Sequence, residues 1–265
     1  MTDTMTTMPK APLGVGKIIS ESFSILFSNF VKVLILGFIG SFAGFLVNGL
    51  FLGFETALGV PDPEAFADPS AVLTGSLLSL VIGMAVYGII IAMLIQLAYD
   101  AKLGRNGSLR EYFTSALPPL FAIVVLSLVV AILAGLGMIA LVVGGLWVYA
   151  VFYVFVPAAV IERTGFGSLG RSAGLTKEYR WPIVGLFLVM AIIIMVISFA
   201  LTALSTGIII GGDPSMATFI GLGVVLSAFS GVAYGLSGIA TALTYARLRE
   251  VKEGVAVDQI ASVFD

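Results

Sequence analysis

The stretch PLFAIVVLSLVVAILAGLGMIALVVGGLWVYAVFYVFVPAAVI, residues 119–161, contains no charged residue. One transmembrane helix needs about 20 apolar residues to cross about 30 Å of hydrocarbon. The run is therefore too long for a single span and long enough for two, folding back in the glycine-rich region Gly135 to Gly145. Flanking apolar blocks extend the same reading. Val33 to Phe54 and Ala71 to Ala98 are the first and second spans, separated by the polar loop Glu55 to Ser70. Pro182 to Ile210 is the fifth, and after a short turn at Gly211 to Pro214, Ala217 to Ala246 is the sixth.

Composition agrees, because 59% of the 265 residues are apolar and only 11% charged, outside the range of soluble domains. The absence of His and Cys excludes disulfides, thiolate nucleophiles, imidazole bases and zinc sites rich in those ligands. A net charge of −2 gives no reason to expect a nucleic-acid partner. Met1 to Lys10 lacks the features of a cleaved secretory signal, so the first apolar run is expected to be retained.

Charge placement predicts orientation. Lys and Arg near helix ends are held in the cytoplasm. With six spans, all 13 basic residues fall on one face: Lys10, Lys17 and Lys32, then Lys102, Arg105 and Arg110, then Arg163, Arg171, Lys177 and Arg180, then Arg247, Arg249 and Lys252. The opposite face carries Glu55, Asp62, Glu64, Asp68 and Asp213. Both termini are accordingly expected in the cytoplasm.

The linkers on the basic face carry amphipathic patterns. Ile18, Ile19, Phe23, Leu26, Phe27 and Phe30 recur at helical spacing opposite Lys17, Ser20, Glu21 and Ser24. Leu109, Tyr112, Phe113, Ala116 and Leu117 repeat the device, opened by Ser108 and Glu111 at capping-box spacing and expected to end at Pro118 and Pro119. A weaker segment runs from Gly167 to Trp181. The fold expected is all-α: six transmembrane helices as three hairpins, each preceded by an interfacial amphipathic helix. Residues 1–13 form a tail, 14–250 the membrane domain and 251–265 an amphipathic C-terminal tail with Val255, Ile260 and Val263 on one side. A tyrosine also stands 13 residues before the charge closing each even span: Tyr87 before Asp100, Tyr149 before Glu162, Tyr234 before Arg247.

Within the spans, Gly40, Gly44 and Asn48, and Gly223, Ser227, Gly231 and Gly235, recur every fourth residue. Such ridges let backbones approach closely; they fit helix packing within the bundle or a groove for lipid or a partner helix. No charge lies deep in a span, where it would cost about 2.5 to 3.5 kcal/mol. Asn48, Gln96 and scattered hydroxyls are the strongest interior polar groups.

Catalytic motifs fail on their chemistry. Gly235 to Gly238 spells GxSG, but no His exists to activate Ser237. Asp100 and Asp213 fall on opposite faces, too far apart to share a proton. Gly14 and Gly16 lack the strand and lysine of a phosphate loop. Neither a catalytic residue nor a cofactor is expected. The candidate contacts for anionic lipid headgroups or a partner are Arg163, Arg171, Lys177, Arg180, Trp181, Arg247 and Arg249. A plain topology signal, with Glu162 pairing an Arg, is the competing reading.

Glu162, Arg163, Gly167 to Leu169, Arg171, Ser172, Leu175, Arg180 and Trp181 resemble a pattern in the membrane domain of bacterial glycerophosphodiester phosphodiesterases. Tyr245, Arg247 to Glu250 and Lys252 to Gly254 resemble the ending of the same superfamily, which includes YciC-like six-helix inner-membrane proteins. The resemblance implies the fold, its orientation and the bacterial inner membrane. It implies no reaction, since the phosphodiesterase activity belongs to a separate soluble barrel. The expectation is a non-enzymatic, lipid-interacting or complex-organising membrane protein whose partners are membrane lipids and either another membrane protein or further copies of itself. A transporter or channel without ionisable coupling residues is the alternative.

Overall fold

A computed structural model describes residues 11–59, 69–211 and 215–254. Residues 1–10, the acidic positions 62, 64 and 68, Asp213 and the expected C-terminal segment from Val255 lie outside the described residues. Among those described, the secondary structure is helical, and six helices are long and apolar enough to cross a membrane. In hydrocarbon every backbone N–H and C=O must be satisfied internally, which helices achieve without a partner.

Helix α1 (Val15–Ser28) precedes the first span, α2 (Phe30–Leu52); the single turn α3 (Phe54–Ala57) follows it. Span two is α4 (Pro69–Lys102) and span three α5 (Leu109–Ala140). Span four consists of α6 (Val142–Phe152) and α7 (Phe155–Ile161). The short α8 (Ser168–Thr176) leads to α9 (Arg180–Ile210) and α10 (Met216–Glu253), spans five and six. At 34 residues α4 rises about 51 Å, so it tilts or projects beyond the hydrocarbon.

The third-to-fourth turn is as tight as a chain can make it. Leu141 alone is extended between α5 and α6. Its N–H donates to Gly137 O at 3.0 Å, and its carbonyl accepts from Gly144 N at 2.8 Å. A side chain on Gly137 would stand 2.9 Å from Gly145 N, so glycine there is a condition of the turn.

The linkers differ from one another. Helix α1 is separate and turns Ile18, Ile25 and Leu26 onto the bundle; its apolar stripe is largely spent on protein, leaving Phe27 exposed. The second amphipathic segment is not a separate helix. Its capping box forms as expected, Glu111 N donating to Ser108 Oγ and Ser108 N to Glu111 Oε2, but α5 then continues through Pro118 and Pro119 into span three. The prolines deprive the carbonyls of Thr114 and Ser115 of intrahelical donors. Thr114 is exposed and Ser115 borders an open cleft, so solvent at the basic end replaces them.

Span four breaks at Tyr153 and Val154, and α8 repairs the break. Pro157 has no N–H for the Tyr153 carbonyl. Ser172 Oγ donates to Val151 O at 3.0 Å and accepts from Val154 N at 3.3 Å, while Thr176 Oγ1 lies 2.9 Å from Val151 O. Ser168, Ser172 and Thr176, one face of α8, are fully buried. The third linker thus docks through hydroxyls.

Small residues seat the spans. Helix α10 packs along α2 with Gly231 against the Gly37 and Phe38 backbone, Gly235 against Val33, and Gly223 against Phe45. Ser41 Oγ reaches Ser227 O at 2.6 Å across the same seam. Gly40 faces Ile90 of α4, whereas a side chain on Gly44 would meet nothing within 4 Å. Of the seven ridge positions, Gly40, Gly223, Ser227, Gly231 and Gly235 are packing residues, and Gly44 is not.

A Cβ at Gly231 would stand 2.5 Å from Phe38 N and 2.6 Å from Gly37 C, both backbone. Gly231→Ala is therefore predicted to destabilise the protein by about 1–3 kcal/mol, read as a lower unfolding temperature in detergent. Gly44→Ala leaves that temperature unchanged.

Candidate functional site

The described basic residues gather at one end of the bundle, tied by contacts far apart in sequence. Lys102 pairs with Glu21 at 2.8 Å, Lys32 donates to Asn106 and to Gly107 O, and Arg247 donates to Pro12 O at 3.1 Å. Lys252 reaches Gly174 O at 3.3 Å. Glu55, on α3, lies at the opposite end.

The centre of this end is a network around Glu162. Arg171 grips the carboxylate with two N–H groups, Nε to Oε2 at 2.8 Å and Nη2 to Oε1 at 2.7 Å. Its other nitrogen pairs with Glu253 at 2.5 Å. Arg249 lies 3.0 Å from Glu253 and 3.5 Å from Glu162, and the Tyr245 hydroxyl donates to Glu162. A planar fork holding a carboxylate by two bonds is stronger and more directional than a point charge. Burial opposes the Glu162 charge, but the hydrogen bonds from Arg171 and Tyr245 and the charges of Arg171 and Arg249 outweigh it and hold the carboxyl below its usual range. The hydrogen bonds that Arg171 donates to Glu162 and Glu253 push its own pKa up.

Of the seven expected contact residues, Arg171 and Arg249 are thus consumed internally, and Arg247 pairs with Glu250 at 2.8 Å. Arg180 lies over the Trp147 ring at 5.4 Å, and Trp147 contacts Trp181 at 5.2 Å. Arg163 and Lys177 are exposed and form no ion pair among the described residues. Arg163 also has a left-handed backbone, φ 54°, which turns the chain sharply after α7. Beside it a cleft of about 540 Å³ opens between α4, α5 and α7, edged by Gln96, Arg105, Ser115 and Arg163. The Tyr99 hydroxyl borders this cleft near Arg249, outside hydrogen-bonding geometry.

A second polar region lies along the spans, where sequence reasoning undervalued it. Tyr87 and Tyr234 meet edge to face at 5.4 Å, and Tyr149 contacts Tyr153 at 5.8 Å. Tyr87 is within electrostatic reach of Tyr153 and Tyr149. The equal spacing of three tyrosines from the ends of the even spans thus marks one depth in the bundle. Beyond that depth, away from the basic end, cavities of about 440 Å³ and about 460 Å³ flank α2. Both are bordered by Gly44, Asn48 and Tyr234. Toward the basic end the bundle is filled by Leu94, Ile95, Leu97, Ile239 and Leu243, each at most 2% exposed.

Compared with protein-family models, the curated proteins and the solved structures, the chain matches none. Function must be argued from these two regions. Glu253 and Tyr245 had no assigned role in the sequence reading; their contacts with Arg171, Arg249 and Glu162 cross three segments and leave no local signature. The hydroxyl stripe of α8 was visible as Ser168, Ser172 and Thr176 at four-residue spacing.

Arg171→Gln is predicted to cost about 2–3 kcal/mol, since it leaves Glu162 and Glu253 partly buried without their main partner. Because folding lowers the Glu162 pKa, its contribution is fully present above the unfolded value near 4.5 and is lost as pH falls through the folded value. Glu162→Gln should therefore flatten the acid limb of an unfolding-temperature profile measured from pH 7 to pH 3.

Proposed function

We propose that this chain is a non-enzymatic protein of the bacterial inner membrane, both termini cytoplasmic, that holds anionic lipid headgroups at its basic end. There it anchors lipid or organises a partner complex. The observation carrying this reading is the division of labour among the cations. Arg171 and Arg249 neutralise Glu162 and Glu253, while Arg163, at the edge of an open cleft, and Lys177, on the loop after α8, stay exposed. A juxtamembrane cation contributes about 1 kcal/mol toward an anionic surface, and an unpaired one spends that interaction on lipid. Trp181, 61% exposed and backed by Trp147, fits an anchor at headgroup depth. The absence of His and Cys from the sequence supports a role other than catalysis.

A transporter is the second reading, favoured by the cavities on the opposite side. The dense packing between those cavities and the basic end supports binding over conduction. The resemblance to YciC-like proteins agrees with the proposed location and adds no substrate.

Arg163→Gln with Lys177→Gln should reduce co-purifying phosphatidylglycerol and cardiolipin by at least about threefold, measured by lipid mass spectrometry, with the unfolding temperature unchanged. Unchanged anionic lipid would defeat the headgroup proposal. The pair is chosen to spare Arg171, whose loss perturbs the fold.

A further inference from the structure

The two cavities flanking α2 combine features that packing alone does not account for. Neither is lined by a charged residue. Asn48, exposed at the junction of the two, borders both and makes no hydrogen bond with any described residue. Ser79, a residue only 6% exposed, borders the cavity between α2 and α4, and its hydroxyl has no hydrogen-bond partner among the described residues. An amide and a hydroxyl left unpaired at membrane depth are costly unless something satisfies them. Gly44, where a side chain would meet only open space, keeps the junction of the cavities clear.

The cavities differ in character. That between α2, α9 and α10 carries hydroxyls, including Ser198, Thr202 and Ser230. That between α2 and α4 has apolar walls from Leu52, Leu80, Met84, Val86 and Ile90, with exposed Leu80 and Tyr87 at its border. A polar compartment joined to an apolar one suits an amphiphile. The lack of lining charge disfavours an ion or a phosphate, whose burial needs a counter-charge. Apolar walls would leave a polyol or water alone poorly satisfied. The packed layer at and beyond the tyrosines makes the site blind.

We infer that Asn48 and Ser79 form the polar end of a binding site for a neutral, hydroxyl-bearing lipid of the diacylglycerol class. Its hydrocarbon chain lies between α2 and α4, and its hydroxyl or ester oxygens meet the Asn48 amide and the Ser79 hydroxyl. The site is independent of the basic end and lies in the opposite half of the bundle.

The test uses the full chain in nanodiscs and measures saturable binding of a fluorescent dioleoylglycerol. Wild type should bind, with unlabelled dioleoylglycerol displacing the probe and phosphatidylglycerol at equal concentration failing to do so. Asn48→Leu should weaken binding about tenfold, Ser79→Ala less, and both should keep the wild-type unfolding temperature without added ligand. Arg163→Gln with Lys177→Gln should leave this binding unchanged, separating the site from the headgroup proposal. Three results would overturn the inference: no saturable binding by wild type, equal binding by the well-folded Asn48→Leu and Ser79→Ala proteins, or equal displacement by phosphatidylglycerol.

Discussion

Everything else in this bundle rests on the contact of two backbones, α2 at Gly37 and α10 at Gly231. In lipid, helices are not driven together by exclusion of apolar surface from water, because the tails are as apolar as leucine. Association depends on close packing and on hydrogen bonds across the seam. The Gly37–Gly231 approach supplies the first and Ser41 to Ser227 O the second. Once the first and last spans are joined, α4 packs against both, Gly40 receiving Ile90 and Gly238 receiving Leu94. The remaining spans assemble around this trio. Chain order therefore says little about neighbourhood, since the seam joins elements nearly two hundred residues apart.

The basic end closes the same arrangement from outside the hydrocarbon. Glu162 follows span four, Arg171 sits on α8, and Arg249 and Glu253 lie on the last turns of α10. One network thus fixes the end of a broken span, the helix that repairs it and the C-terminal helix. Its charges largely cancel, so its value lies in geometry more than in net Coulomb energy. Cancellation also leaves Arg163 and Lys177 for the surroundings. Arg163, turned outward by its left-handed backbone, is the product of both effects.

Sequence periodicity and charge made the spans legible, including a fold-back within Gly135 to Gly145, where the structure puts the turn at Leu141. Composition is a strong signal in a membrane because each span meets the same solvent. Linkers were harder. Pro118 and Pro119 read as a helix stop, which they often are in water, yet the capped helix passes through them where exposed carbonyls find solvent. The α8 segment read as a weak amphipath because its buried face is made of hydroxyls. Gly44 was indistinguishable from Gly40, since identical spacing says which face a residue occupies and not what stands opposite. Asn48 was legible as a polar residue in a span; the partnerless Ser79 hydroxyl near it was not, because absence of a partner exists only in three dimensions.

The two halves of the bundle are built to different densities, and the difference has a physical source. Toward the basic end, α1, α7 and α8 add short elements whose apolar and hydroxyl faces fill the spaces between spans, so Leu94, Ile95, Leu97, Ile239 and Leu243 are sealed. Beyond the tyrosines, of such short elements among the described residues, only α3 is present, and Phe45, Leu58 and Ile209 form a small separate cluster. The long helices alone leave space between them there, as the two cavities flanking α2 show, unless something else occupies it. Hydrocarbon from the bilayer fills an apolar gap without specificity, but it leaves an amide and a hydroxyl unpaired. The polar groups at Asn48 and Ser79 therefore make the hollow half selective, and the sealed half confines whatever enters to one side of the membrane.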